Sequence, residues 1–182
     1  GVYIIDVSGH GLDAAVYTVA LTRAINTMID VTPDQAEPSM LIAQLNEKFP
    51  LRTPAGQFFT LLYGLLTPAS RQFRFVSAGH PGPIHVPAGG PPRKLEVSGF
   101  SIGVVEAPQY REYAMQLDAG DRILLYSDGI SELPDPQGAV LGTTGLVETL
   151  AARPRQPLEP WMEGLRQDLR AWRGDDFPPD DI

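Results

Sequence analysis

Two apolar runs separated by five residues constrain this chain more than any other feature. The stretch QFFTLLYGLLTPASRQFRFVSAG, residues 57–79, reads as strands over 57–66 and 72–78 joined by a turn at TPASR. A connection that short permits only antiparallel pairing, because a parallel crossover needs about a dozen residues or more. Helical periodicity lies on either side of this hairpin. From Leu12 to about Ile29, Leu12, Ala15, Val16 and Val19 share one face, and Leu21, Ile25 and Met28 continue around it. Apolar cover over so much of the circumference predicts a helix buried on more than one side. VTPDQAEPS reads as a loop, with Ser39 the expected cap of a second helix that carries Leu41, Leu45 and Phe49 on one face.

The later half repeats the mixture. HPGPIHV runs into a Gly/Pro-rich loop, PAGGPPR, followed by short strands expected around 94–97 and 111–117. DRILLYSDG reads as another strand ending on an aspartate. TTGLVETLAAR and LEPWMEGLRQDLRAWR read as helices, and Trp161, Leu165, Leu169 and Trp172 fall on one stripe of the second as core packing. The expected class is therefore α+β: two mainly antiparallel sheets, stacked and flanked by helices.

Composition then narrows the chemistry. The chain has 182 residues, no cysteine and three histidines. Thiolate metal sites and disulfides are excluded, and an imidazole zinc site has little to draw on. Any metal must sit mainly in oxygen ligands, which suits Mg²⁺ or Mn²⁺. A net charge of −8 with no run of Lys and Arg argues against a nucleic-acid surface. No apolar run approaches the ~18 residues that span a bilayer, and no signal peptide is visible, so a cytoplasmic location is expected.

The candidate ligands are carboxylates at strand ends. VYIID stops at Asp6 before Val-Ser-Gly, and RILLYSD stops at Asp128 before Gly129. A third acidic site, Asp180-Asp181, precedes what reads as another strand. Taken singly, Asp6 and Asp128 read equally as turn aspartates, and the terminal pair as a solvated acidic tail. Brought together they would make an all-oxygen site for two hard cations ~4 Å apart, able to clamp a phosphate and activate a water.

DVSGHGLDAA, FFTLLYGLL, FVSAGHPGPI, SIGV, LDAGDRILLYSDGISEL and the terminal DDI occur in the order found in bacterial SpoIIE-type phosphatases. That group is a branch of the metal-dependent serine/threonine phosphatases of the 2C type, and the resemblance covers nearly the whole chain. It implies an αββα sandwich and a dinuclear Mn²⁺ or Mg²⁺ centre. It also implies hydrolysis of phosphoserine or phosphothreonine by a metal-activated water, without a covalent phospho-enzyme. Carried over by motif, Asp6 resembles the carboxylate that bridges both ions, with the backbone carbonyl of Val7 also a ligand. Asp128 and Asp180 resemble ligands of one ion, and Asp181 the neighbour that orients the loop, with a one-residue choice between these last two left open. Asp6, Asp128 and Asp180 are thus the expected catalytic set.

The histidines resist simple assignment. His10 stands close after the bridging aspartate, but its spacing differs from the general-acid histidine of eukaryotic relatives. His80 in AGHPGP is expected to be a hydrogen-bonded turn residue, and His85 incidental. Glu132 of SDGISE is a candidate neighbour of the ligands. The family pattern begins upstream with a strand carrying Gly-Asp and a further Asp, and continues with a strand after DDI; neither is in this sequence. Residues 1–182 are therefore expected to be a single phosphatase domain truncated at both ends and lacking terminal strands.

The resemblance also implies partners. The expected substrate is a phosphorylated anti-sigma-factor antagonist in bacterial stress or developmental signalling. An upstream sensor or receiver domain and a possible homodimer complete the expectation. The competing reading is a catalytically degenerate, phosphatase-like regulatory binding module. A dinuclear nuclease is disfavoured by the acidic charge.

Overall fold

The TPASR hairpin forms where expected, as β2 (Phe59–Thr67) and β3 (Gln72–Ala78), antiparallel with Leu62 opposite Ser77 and Thr67 opposite Gln72. The computed structural model describes residues 1–9, 11–31, 37–50 and 58–174. These divide into two compact units, one of Gly1–Gly82 with Glu96–Leu117, the other of Pro83–Leu95 with the chain from Asp118 onward.

In the first unit the hairpin gains a strand on each side. β1 (Val2–Val7) pairs antiparallel with β2, and β6 (Glu112–Gln116) with β3, so the order is β1-β2-β3-β6. The period-2 alternation of strand side chains puts Phe59, Leu61 and Tyr63 on one face, together with Val76 and Ala78 of β3. The helices α1 (Leu12–Val31) and α2 (Pro38–Lys48) bury Leu21, Ile25, Leu41, Ile42 and Leu45 in the same cluster. Tyr17, Phe49 and Phe59 meet edge to face there, with ring centroids 5.6–6.2 Å apart. On the opposite face Phe73 stacks on Phe75, and Phe75 on Tyr113. Gly64 makes that ladder possible, since a Cβ there would stand 2.5 Å from the Phe73 ring.

Two helical expectations need correction. Helix α1 spans its predicted range, but Val16 and Val19 are exposed rather than buried. The inner face follows Ala14, Tyr17, Leu21, Ala24, Ile25 and Met28, a strict 3.6-residue series. Helix α2 starts two positions earlier than Ser39 as its cap would dictate. Pro38 occupies the first turn, where its missing N–H and preset φ cost nothing, and Glu37 becomes the N-cap.

The second unit holds a smaller sheet, β5 (Arg93–Lys94), β4 (Ile84–Val86) and β7 (Arg122–Leu124), in the order β5-β4-β7 and all antiparallel. Its helices are α3 (Asp128–Ser131), α4 (Gly142–Ala152) and α5 (Leu158–Arg173). The stripe read from α5 is the core: Trp161, Leu165 and Leu169 are buried with Ile84, Leu124, Leu146 and Leu150. Trp172 is half-buried against the same cluster, and its indole Nε1 donates to the Leu133 carbonyl at 3.1 Å. Each such side chain contributes roughly 1.5–3 kcal/mol by leaving water. The helix ends at Gly174, whose φ of 84° lets its amide close on the Arg170 carbonyl. Strand β4 was not legible between its flanking prolines, and β5 is shorter than the expected 94–97. The expected α+β class with two antiparallel sheets is what the chain adopts. Among the described residues no helix is long and apolar enough to cross a membrane.

Candidate metal centre

Asp6 is the penultimate residue of β1 and is half-buried. The strand is sealed just beyond it: the Ser8 amide donates to the Phe58 carbonyl, and the Phe58 amide to Ser8 Oγ, each at 3.0 Å. Gly9 and Gly11 follow with φ of 95° and 89°, the left-handed region that side chains resist. A Cβ at either would meet nothing within 4 Å, so backbone conformation rather than space calls for glycine there. Helix α1 then opens with the Ala15 amide donating to the Gly11 carbonyl at 3.1 Å. The strand–aspartate–glycine turn–helix order read from the sequence is thus the local structure. His10 lies outside the described residues.

The neighbours of Asp6 follow from register. Thr60 stands directly opposite it on β2, so the two side chains share a face of the sheet with Cβ atoms about 5 Å apart. Thr60 Oγ1 lies 2.8 Å from Nδ1 of His80, which is only 4% exposed. His80 is the turn residue expected: its amide donates to Ser77 Oγ at 3.1 Å, and that hydroxyl donates to the His80 carbonyl at 2.6 Å. Val7 stands opposite Phe59, and Phe59 exchanges both of its backbone bonds with Ile102, at 2.9 and 3.4 Å. In an antiparallel ladder this leaves the Val7 carbonyl turned away from β2, toward the outer side of β1. A half-buried carboxylate followed by an outward backbone carbonyl is a donor set that fits a hard divalent cation.

In the second unit, Asp128 does not end a strand. Strand β7 stops at Leu124, and Asp128 is the first residue of the single turn α3, which corrects the expectation. Its carbonyl accepts from the Glu132 amide at 2.7 Å and from Ser131 Oγ at 3.1 Å, which holds the backbone while the residue stays exposed. An exposed carboxylate on a fixed turn also suits an oxygen-ligated ion. Glu132 is exposed and meets Asp128 through its backbone. Asp180 and Asp181 lie outside the described residues. Among the described residues, no three His, Cys, Asp or Glu side chains gather as a metal site would require.

Sequence reading missed three polar anchors. Asn46 is buried on the apolar face of α2, where its Oδ1 accepts from the Gly103 amide at 2.9 Å and the Tyr110 hydroxyl at 3.3 Å. Its Nδ2 donates to the Val105 carbonyl at 3.0 Å, so one side chain holds the SIGV loop. Burial pushes the Tyr110 hydroxyl up to about 12, keeping it a donor. An amide next to Leu45 in the apolar stripe was the available signal. Thr60 carried none, because its partner His80 is distant in sequence. His85 proves far from incidental: its Nε2 meets Asp121 Oδ2 at 2.8 Å, with both side chains over nine-tenths buried. Burial alone would raise the Asp121 carboxyl. The Asp118 amide, the His85 ring and the Ala88 amide outweigh it and hold the group below its usual range.

Comparison with known proteins places these features in a wider set. The family model for stage II sporulation protein E (SpoIIE) matches residues 1–182. The phosphoserine phosphatase RsbU of Bacillus subtilis (strain 168) is 29% identical over 136 residues, 74% of this chain and 40% of that protein. The phosphoserine phosphatase RsbP of the same organism is 25% identical over 172 residues, 93% of this chain and 41% of its own length. The chain therefore spans about two fifths of the curated relatives it matches. Among solved structures, the SiaA-PP2C domain of Pseudomonas aeruginosa superposes with a TM-score of 0.81 at 22% identity, covering 99% of this chain and 72% of that one. That likeness shows a shared fold.

Proposed function

The chain belongs to the stage II sporulation protein E (SpoIIE) family, and from that premise we propose that it hydrolyses phosphoserine or phosphothreonine on a protein. The family is metal-dependent, and a solved relative of this fold, RsbX, is described in complex with magnesium. Two divalent cations, when bound, would neutralise the phosphate and supply an activated water. Asp6 is proposed to hold both ions, assisted by the Val7 carbonyl, while Asp128 and Asp180 complete the set. Residues 1–182 are proposed to work as one phosphatase domain. The native substrate proposed is a phosphorylated anti-sigma-factor antagonist, in keeping with the likeness to RsbU and RsbP. An upstream sensor or receiver domain is proposed to govern the activity.

The observation that carries this reading is the local build around Asp6. A half-buried carboxylate, an outward Val7 carbonyl and a glycine turn occur together in a chain that the family model covers from end to end. Asp128→Asn keeps the size of the side chain and removes one ligand charge. On a phosphoserine peptide with added Mn²⁺, kcat/KM should fall by roughly two orders of magnitude or more while the unfolding midpoint holds. Chelator should abolish the wild-type rate. Wild-type turnover by Asp128→Asn would exclude the proposed ligand set, and metal-dependent binding of a phosphoprotein without turnover would favour a regulatory binding module.

A further inference from the structure

The chain carries a net charge of −8, yet three of its 14 Lys and Arg residues line one cavity of about 180 Å³ in the second unit. Arg122, Arg153 and Arg155 share its wall with Pro92, Leu150 and Trp161, and among the described residues no Asp or Glu lines it. We propose that this cavity is a phosphate-binding pocket, built from residues other than the proposed metal ligands.

Each guanidinium is held in place beforehand. Arg122 lies over the Trp161 ring, 4.7 Å from its centroid, and donates to the Gln156 carbonyl. Arg155 donates to the Pro87 carbonyl at 3.0 Å and to the Gly120 carbonyl. Backbone carbonyls orient these groups but neutralise no charge. Arg153 is nearly buried: its side chain is 9% exposed, and its Nε is buried without an acceptor among the described residues. Its ion pair is with Asp168, whose own side chain is 46% exposed. The guanidinium lies against Gly164 in the middle of α5, where any Cβ would collide with Nη2. Glycine is unfavourable inside a helix, so its presence there is explained by the room it leaves for Arg153.

Chemistry selects the ligand. A buried, charged N–H without an acceptor is costly, and an oxyanion supplies what is missing. Among the described residues, three guanidiniums meet one paired carboxylate, that of Asp168, which leaves two positive charges, a better match for a phosphate dianion than for a carboxylate. Guanidinium forks fit tetrahedral oxyanions bidentately, and the Pro, Leu and Trp walls keep the screening low. The volume admits one phosphate group and no length of peptide. Arg122 opens β7, and the chain leaves the far end of that strand toward Asp128. The phosphate is either free or carried on a phosphorylated protein segment.

The test uses the chain bearing Asp128→Asn in chelator, so that no phosphate held by metals contributes and the phosphatase reading is judged separately. Inorganic phosphate and a phosphoserine peptide are titrated while the arginine Nε–Hε resonances are followed by NMR. We expect a saturable shift of the Arg153 resonance in the millimolar range or below, weakening as salt is added. Arg155→Gln, at an exposed position, should weaken binding about tenfold, the loss of one charge-assisted hydrogen bond. Gly164→Ala should abolish it by displacing Arg153. Peptide binding at least about tenfold tighter than phosphate would assign the pocket to a phosphoprotein, and equal binding would assign it to free phosphate. No saturable shift with either ligand, or one unchanged in Arg155→Gln, overturns the proposal.

Discussion

In the four-stranded sheet β2 faces β3 over six register pairs, whereas in the three-stranded sheet β4 meets β5 over two and β7 over three. The longer ladders define themselves: alternation commits every second side chain to one face, and a slip of one residue would turn the whole apolar set outward. The shorter sheet lacks that protection, and polar side chains do the work instead. Asp121 accepts from the Asp118 and Ala88 amides, at 3.0 and 2.6 Å, as well as from His85. Arg155 reaches across to the carbonyls of Pro87 and Gly120. Both groups pin loops to the ends of strands that are only two or three residues long. Where backbone pairing is short, order comes from specific charged side chains, and the cost of removing one of them rises accordingly.

That contrast can be broken from the apolar side first. Leu61 is fully buried in β2 beneath α1 and α2. Leu61→Ala should destabilise the chain by about 2–5 kcal/mol, the usual range for emptying a packed core site, with an unchanged denaturant slope. Urea unfolding measures it. A loss below 1 kcal/mol (roughly) would mean the longer sheet is not held by its core.

The polar side predicts a smaller, pH-dependent loss. Asp121→Asn removes the charge while keeping the shape, and should cost about 1–3 kcal/mol at neutral pH. The native carboxyl is held below its ordinary 3.8. Its contribution is therefore fully present above that value and is lost as the pH falls through the lower native one. Wild type and Asp121→Asn should thus converge in unfolding midpoint only well below pH 4 (about), and a gap that persists unchanged into strong acid would refute the assignment.

The smallest effect is expected where a charge pair holds nothing. Glu163 and Arg166 meet at 2.8 Å on α5, with both side chains about half exposed. Surface pairs of this kind are screened and contribute little. Glu163→Gln should leave the unfolding midpoint unchanged within measurement, so a clear drop would show that α5 depends on its surface charges as the short sheet does on its buried ones.

Much of this was legible in the residues themselves. The hairpin of β2 and β3, the extents of α1 and α5, and the Trp161–Leu165–Leu169 stripe all follow from periodicities of 2 and 3.6, which are properties of the local backbone. So does the turn after Asp6, because Gly9 and Gly11 stand where only glycine adopts a positive φ without strain. The candidate ligands Asp6 and Asp128 were readable as strand-end carboxylates, although Asp128 opens a helical turn instead. Other features depended on residues that meet only after folding. Val16 and Val19 look as apolar as Leu21, and only the packing of α1 against its sheet decides which face is inside. His85 and Asp121 are 36 positions apart, Thr60 and His80 are 20, and Asn46 and Gly103 are 57. No local pattern couples such pairs, since a buried polar group is tolerated only where the folded chain brings its partner within hydrogen-bond reach. Gly164 shows the division most plainly. From the sequence it is a flaw in a helix, and only the guanidinium of Arg153, brought against it by the fold, gives it a reason.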